Sequence, residues 1–441
     1  MQPYNTRSRR GARPLIALFG FLMALSPVAH SEPMLGIGAH ILKSDADNQT
    51  FLKWISQSAF KSVRQEVYWS DIEVAPQKMG PTDRAQRALQ VIDAEYAAGI
   101  EPLLVLDYGN PLYDGGTQPY SDQGRQAFAR YAEWMAQTTK GKVKQFEIWN
   151  EWNIGLGTRP RSRQGSAEDY VKLTKQASLA IHKANPGALV VGGALGDDFP
   201  DWAWLKQAIQ YGLLNYVDGI SIHLYNHSLP IYKGGAREML DRIARVHDLI
   251  KKASPNKDIP IYITELGWPN NVGQFGVSLT DAATQASIFW MEVNALDYVK
   301  GVWFYVYKNP GRDISDREQN FGLFDADNNP KPIECALESL GKKLKGAKLV
   351  STREQGASKV MLYRLTDGTQ LLGTWTPWRQ PNRLTQMLEF NGKHLDAKPL
   401  DLGCFTDTNS SKAAAQANSM KLEQGYSPSF YILPADSTLK F

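Results

Sequence analysis

Eight short apolar runs alternate with longer helical patterns between residues 34 and 345, and this alternation most restricts what the chain can fold into. The runs are "MLGIGAHI" (34–41), "SVRQEVYW" (62–69), "EPLLVLDYG" (101–109), "KQFEIWNE" (144–151), "ALVVGGAL" (188–195), "GISIHLYN" (219–226), "PIYITELG" (260–267) and "GVWFYVYK" (301–308). Several lack polar alternation, as strands buried on both faces do. The helical stretches carry start and stop residues. "PTDRAQRALQVIDAEYAAG" (81–99) opens on Pro81 and closes at Gly99; "SAEDYVKLTKQASLAIHKANPG" (166–187) opens with Ser166 three residues before Asp169. Residues 279–301 and 332–346 repeat the pattern. Eight strand–helix units predict an α/β chain closed into a (β/α)8 TIM barrel. An open doubly wound sheet would bring a phosphate-binding glycine loop, and "GIGAHI" lacks the third glycine of that motif.

After residue 346 the texture changes to short strand-like pieces, with Asp367-Gly368 as a hairpin signal. Three regions are expected: 1–31 a signal peptide, 32–346 the barrel, and 347–441 a β-rich accessory domain. Within the last, "DTNSSKAAAQANS" (407–419) reads as a polar loop or a frayed helix. Two cysteines, Cys335 and Cys404, fit either two buried thiols or one disulfide. The bridge would close a ~70-residue loop worth ~4 kcal/mol in the chain-entropy model.

Arg7, Arg9, Arg10 and Arg13 precede the apolar run "LIALFGFLMAL" (15–25), and Ala29 and Ser31 occupy the −3 and −1 positions of a small-residue cleavage site. The run is too short to cross ~30 Å of hydrocarbon. Export to the periplasm or the extracellular space is the expectation, with no membrane anchor after cleavage. Removing 1–31 takes four of the 49 Lys and Arg residues and none of the 45 acidic ones, leaving 45 against 45. The mature charge is neutral, so no nucleic-acid partner is expected. The seven histidines have no ligand spacing, and neither a metal nor another cofactor is expected. Nothing in the sequence indicates an oligomeric state.

Barrel chemistry is carried by the C-terminal ends of the strands. Read in order, these ends offer Arg64 and Trp69, then Asp107, Tyr108 and Asn110, then Asn150 and Glu151. His223 and Tyr225 follow, then Glu265 and Trp268, and finally Trp303. Two carboxylates thus stand at strand ends four and seven, among aromatic and hydrogen-bonding residues. That mixture suits a sugar, whose hydroxyls need polar partners and whose C–H face rests on an aromatic ring. Cleaving a glycosidic bond needs one protonated and one ionised carboxyl group. Arg64 would keep the second ionised, and burial would keep the first protonated.

"EIWNEWN" and "ITELGWP" resemble the acid/base and nucleophile motifs of clan A of the glycoside hydrolases, a superfamily of retaining (β/α)8 glycosidases. The likeness extends to Arg64 in "SVRQEVYW", the His-x-Tyr pair in "SIHLYN", and "NFGLFDADNNPKP". With the β-rich C-terminal region and "LDYGNPLYDGG", the chain looks most like family 39 and related exopolysaccharide-cleaving enzymes. The resemblance implies a polysaccharide or oligosaccharide substrate with Glu151 as acid/base and Glu265 as nucleophile. It further implies Asn150 on the sugar 2-hydroxyl, Arg64 and Tyr225 on the nucleophile, His223 lining the subsite and Trp303 flooring it. Trp268 is expected as a substrate platform, while Trp149 and Glu147 read as packing and a buried structural carboxylate. Arg159, Arg161 and Arg163, in the loop after strand four, read as a solvated loop, with contact to an acidic sugar at the cleft as the alternative.

A retaining mechanism requires the Glu151 and Glu265 carboxyls ~5–5.5 Å apart, against ~6.5–9.5 Å for inversion. Two alternatives use the same residues: a silent carbohydrate-binding protein and a transglycosylase.

Overall fold

The computed structural model describes residues 32–39, 45–156, 165–196, 198, 200–230, 234–355, 358–376, 384–391, 396–404, 414–416 and 419–440. The expected signal peptide and the arginine triplet at 159, 161 and 163 lie outside them, as does most of 407–419, where residues 414–416 form a short strand.

Eight parallel strands close into a barrel in sequence order: β1 Met34–Gly38, β2 Ser62–Tyr68, β3 Glu101–Asp107, β4 Gln145–Ile148, β5 Leu189–Leu195, β6 Gly219–Leu224, β7 Ile261–Leu266 and β8 Val299–Phe304. The alternation in the sequence is therefore a TIM barrel. Long helices pack outside the ring, among them α1 Asp83–Ala97 after β2, α2 Ala167–Ala184 after β4, α3 Leu279–Val293 after β7 and α4 Pro332–Leu344 after β8. Their ends are chemically marked. Ser166 caps α2 by accepting from the Asp169 N–H at 3.1 Å and donating to the Asp169 carboxylate at 2.8 Å. Thr82, not Pro81, caps α1. The α3 helix stops at Val293, a full turn or more before the expected end, because β8 already begins at Val299.

That early start of β8 has a consequence inside the barrel. Successive side chains alternate faces, so Gly301, Trp303 and Tyr305 share the inner one. Trp303 therefore lies a layer below the mouth. It is fully buried with Leu103, Val105, Val191 and Tyr262, and its indole donates to Ser62 Oγ at 2.9 Å near the opposite end of the ring. The indole takes so much room that a Cβ on Gly36 or Gly301 would sit 2.3–2.4 Å from it. Trp303 fills the barrel and does not floor a sugar site.

The C-terminal region folds as two sheets. The five-stranded one orders as Lys348–Gln355, Ser358–Arg364, Gln370–Trp375, Ser429–Leu433 and Lys398–Leu400; the other as Ala414–Gln416, Ser419–Gln424, Leu384–Asn391 and Thr438–Leu439. Period-two patterning splits the larger sheet. Met361, Tyr363, Leu371, Trp375 and Phe430 join the barrel's core, while Val360, Leu362, Leu372, Tyr431 and Leu433 pack with Leu388, Phe390, Met420 and Leu422. Tyr363 also donates to the Met291 carbonyl on α3 at 2.6 Å. Cys335, on α4, is bridged to Cys404 just beyond Lys398–Leu400. Of the two possibilities open in the sequence, the structure has the disulfide, closing 69 residues and worth about 4 kcal/mol if loop entropy dominates.

One helix contact gives a pH prediction. Glu95 on α1 is fully buried and accepts from Gln65 Nε2 at 2.6 Å. Burial pushes its carboxyl up to about 8 from 4.5, against the opposing effect of the Gln65 hydrogen bond. Between those values the folded state keeps a proton that the unfolded state has lost. The contribution of Glu95 to stability is then full below pH 4.5 and is lost as pH rises towards 8. Chemical denaturation at pH 5 and pH 8.5 should show Glu95→Gln less pH-dependent than the parent. At the higher pH it should be more stable, on the order of a few kcal/mol.

Candidate active site

Neighbouring residues on a strand point to opposite faces, yet Asn150 and Glu151 both reach the mouth of the barrel. The backbone makes this possible just past β4. Trp149 (φ 63°) and Glu151 (φ 49°) both adopt the left-handed conformation, which costs a non-glycine residue energy and persists only where its surroundings enforce it. Here the Trp149 N–H donates to the Leu106 carbonyl and the Glu151 N–H to that of Ala194, each at 2.9 Å. Asn153 and Gly196 exchange two hydrogen bonds at 2.7 and 3.1 Å. Gly196 is needed for a further reason: a Cβ there would meet the Glu151 carboxyl carbon at 3.0 Å.

A bulge does the equivalent work for Glu265. The β6–β7 register pairs Ile222 with Ile263 but His223 with Glu265, skipping Thr264. The skipped residue re-aims the strand, so Glu265 shares the inner face with His223.

Arg64, on the inner face of β2, joins the parts. Its Nε donates to Glu147 at 2.7 Å, Nη1 to Glu265 Oε1 at 2.5 Å and Nη2 to Asn150 Oδ1 at 2.8 Å. Burial works against its charge, but Glu147 and then Glu265 outweigh burial and raise its pKa. Tyr225, just after β6, donates to Glu265 Oε2 at 2.6 Å. Burial, reinforced by Glu265, holds its phenol well above the usual range and hence protonated. His223 is wholly buried. Its Nδ1 lies 2.8 Å from Glu151 Oε1 and 3.6 Å from Glu265 Oε2. Burial opposes the imidazolium, yet the two carboxylates raise its pKa.

Ligand atoms of Glu151, His223 and Glu265 all lie within 4.8 Å of one another. The cluster has the size of a metal site, but its carboxylate oxygens already face Arg64, Tyr225 and His223, and the fixed guanidinium charge disfavours a divalent cation there. The arrangement suits acid–base and nucleophilic chemistry instead.

Six of the eight predicted site residues thus converge: Arg64, Asn150, Glu151, His223, Tyr225 and Glu265. Two do not. Trp303 plugs the barrel below, as described. Trp268 is 1% exposed and part of the main core, so no ring face is left for a sugar. Trp69 and Asn110, also at strand ends, are structural: the Trp69 indole donates to Glu73 at 2.8 Å, and Asn110 donates to the Glu73 carbonyl at 2.8 Å. Trp149 packs in the core, and Glu147 is fully buried against Arg64. Tyr305, which the sequence reading passed over, is the aromatic at the end of β8. Its ring meets Tyr225 at 6.3 Å and Phe321 at 5.5 Å, and burial together with Glu265 raises its pKa. Glu66 was passed over as well. Period-two counting from Arg64 and Trp303 would have found both.

A parallel barrel that holds two carboxylates this close across its C-terminal mouth has the equipment for cleaving glycosidic bonds. The family model of the glycosyl hydrolases of family 39 matches residues 129–380, more than half of the chain, and the chain belongs to that family. A beta-xylosidase of Caldicellulosiruptor saccharolyticus is 26% identical over 243 residues, covering 52% of this chain and 46% of that protein. The chain therefore spans about half the length of the curated relative it matches. Among solved structures, a family 39 glycoside hydrolase from the gut symbiont Bacteroides cellulosilyticus WH2 superposes with a TM-score of 0.74 at 21% identity, over 91% of this chain and 81% of that one. A monomeric beta-xylosidase from Caulobacter crescentus CB15 gives 0.63 at 15% identity, over 92% and 98%. These structures share the fold.

Proposed function

We propose that the chain is an exported retaining glycoside hydrolase that cleaves β-linked polysaccharide or oligosaccharide by double displacement. On this reading residues 32–346 are the catalytic barrel and 347–441 a β-rich accessory domain. The observation that supports this most is the approach of Glu151 and Glu265 oxygens within 4.8 Å, nearer the ~5–5.5 Å of a retaining pair than the ~6.5–9.5 Å of an inverting one.

Glu265 is the nucleophile. Arg64 and Tyr225 supply one donor to each of its oxygens, favouring the ionised form. It attacks the anomeric carbon as the glycosidic C–O bond breaks. Glu151 and His223 hold a proton between them across 2.8 Å, and Glu151 passes it to the departing oxygen. In the second step Glu151 takes a proton from water, the water oxygen bonds the anomeric carbon, and Glu265 leaves. Asn150, fixed by Arg64, presents its amide to the sugar 2-hydroxyl. No helix among the described residues is long and apolar enough to cross a membrane; export rests on the basic and apolar pattern of residues 1–31.

The test is release of reducing ends from β-glucans, xylan and xylo-oligosaccharides, mannans and bacterial exopolysaccharides, with the first-formed anomer followed by NMR. Release with a β product is expected. An α product would replace retention by inversion. Products longer than the substrate would reassign the chain as a transglycosylase, and glycan binding without release as a binding protein.

A further inference from the structure

One carboxylate at the mouth has no part in the double displacement. Glu66 follows Arg64 by two residues on β2, so both project into the barrel, with Glu66 about 7 Å nearer the C-terminal end. It is only partly buried. Its Oε2 accepts from the Tyr68 hydroxyl at 3.0 Å and its Oε1 from that of Tyr108 at 3.3 Å. Tyr108 also accepts from Asn150 Nδ2 at 3.1 Å. A continuous run of hydrogen bonds therefore leads from Glu66 through Tyr108 and Asn150 to Arg64 and the nucleophile.

Burial, then the charge of Glu66, raises the Tyr68 phenol; burial, then Asp107 and Glu66, raises that of Tyr108. Both stay donors. A carboxylate has about four acceptor positions, and the phenols fill two. The other two have no protein donor among the described residues. A surface carboxylate would be free to turn in solvent, whereas this one is held at both oxygens beside the reacting pair.

Among the described residues, two arginines beside this group are already engaged. Arg64 spends Nε, Nη1 and Nη2 on Glu147, Glu265 and Asn150. Arg84, whose guanidinium lies 4.4 Å from the Tyr68 ring centroid, pairs with Asp71 at 3.4 Å. A sugar carboxylate entering here would meet Glu66 and Glu265, with neither Arg64 nor Arg84 released to receive it.

Building on the glycosidase reading, we propose that Glu66 binds a hydroxyl of the sugar seated over Glu151 and Glu265, and that its charge restricts that position to uncharged sugars, excluding uronic acids. The restriction concerns the sugar whose anomeric bond is cleaved and not the leaving side.

The experiment compares wild type and Glu66→Gln on β-glycosides and β-glycans of neutral sugars, and on the matched β-glucuronides and polyuronates, with thermal unfolding alongside. For the wild type, kcat/KM should be at least ~100-fold higher on the best neutral substrate than on its uronide, as expected for an unscreened like charge at the site. In Glu66→Gln, kcat/KM on neutral substrates should fall roughly 10- to 100-fold, the worth of a hydrogen bond to a charged group, and the neutral-to-uronide ratio should narrow at least ~10-fold. A wild type that prefers uronides overturns the proposal whatever the stability of the variant, and so does a Glu66→Gln variant with an unchanged ratio. A wild type inactive on every neutral and acidic glycan instead overturns the glycosidase reading on which the proposal rests.

Discussion

Replacing Glu265 by glutamine is expected to reduce kcat by roughly 10⁴-fold or more, the scale seen when a member of a catalytic unit is removed. The amide fills the same space between Arg64 Nη1 and the Tyr225 hydroxyl but carries no charge to attack with. Glu151→Ala should differ in kind. Its loss should be severe on oligosaccharides, whose departing oxygen needs a proton, and much smaller on dinitrophenyl glycosides, whose leaving group does not. Added azide should restore turnover in Glu151→Ala by occupying the space of the missing carboxylate, giving a β-glycosyl azide. Steady-state kinetics on both substrate types decides the matter. Equal losses across leaving groups would remove Glu151 from the acid role, and turnover surviving in Glu265→Gln would remove Glu265 from the nucleophile role.

The second large effect is on stability. Arg64 is 6% exposed and Glu147 wholly buried, so Arg64→Met leaves a carboxylate in the barrel interior with its cation gone. Breaking a buried pair from one side costs about 3–5 kcal/mol, whereas replacing both partners by apolar groups is often neutral. Denaturant unfolding should show Arg64→Met destabilised on that scale, and Arg64→Met combined with Glu147→Leu regaining much of the loss. Activity should not return with stability, because Glu265 and Asn150 still lack their donor. If Arg64→Met unfolds at the same denaturant concentration as wild type, the barrel does not depend on this ion pair.

Much of this was legible in the chain because a parallel barrel strand is a local object: an apolar run, a turn, a helix with marked ends. Counting eight of them yields the architecture, and the C-terminal end of each yields a short roster of chemistry. What the sequence does not show is depth. Trp303 has the right type and parity for a site residue, but whether it lies at the mouth or a layer below depends on where pairing of β8 begins, and that is settled by its neighbours β1 and β7. Trp268 has the same difficulty in a loop, where residue type does not say which way a ring turns. The left-handed backbone at Trp149 and Glu151 and the bulge at Thr264 are equally silent in one dimension. They override the alternation that the eye uses, and they decide that Asn150, Glu151 and Glu265 can meet.

The bond between Cys335 and Cys404 adds a question of timing. Thiols stay reduced in a cytosol and pair in an oxidising compartment, so a chain made in one and delivered to the other would acquire this link last. Until then the final barrel helix and the segment after Lys398–Leu400 lack their covalent link. Under the export proposed above, the bridge would fasten the last barrel helix to the C-terminal sheet only after the chain has left the cytosol.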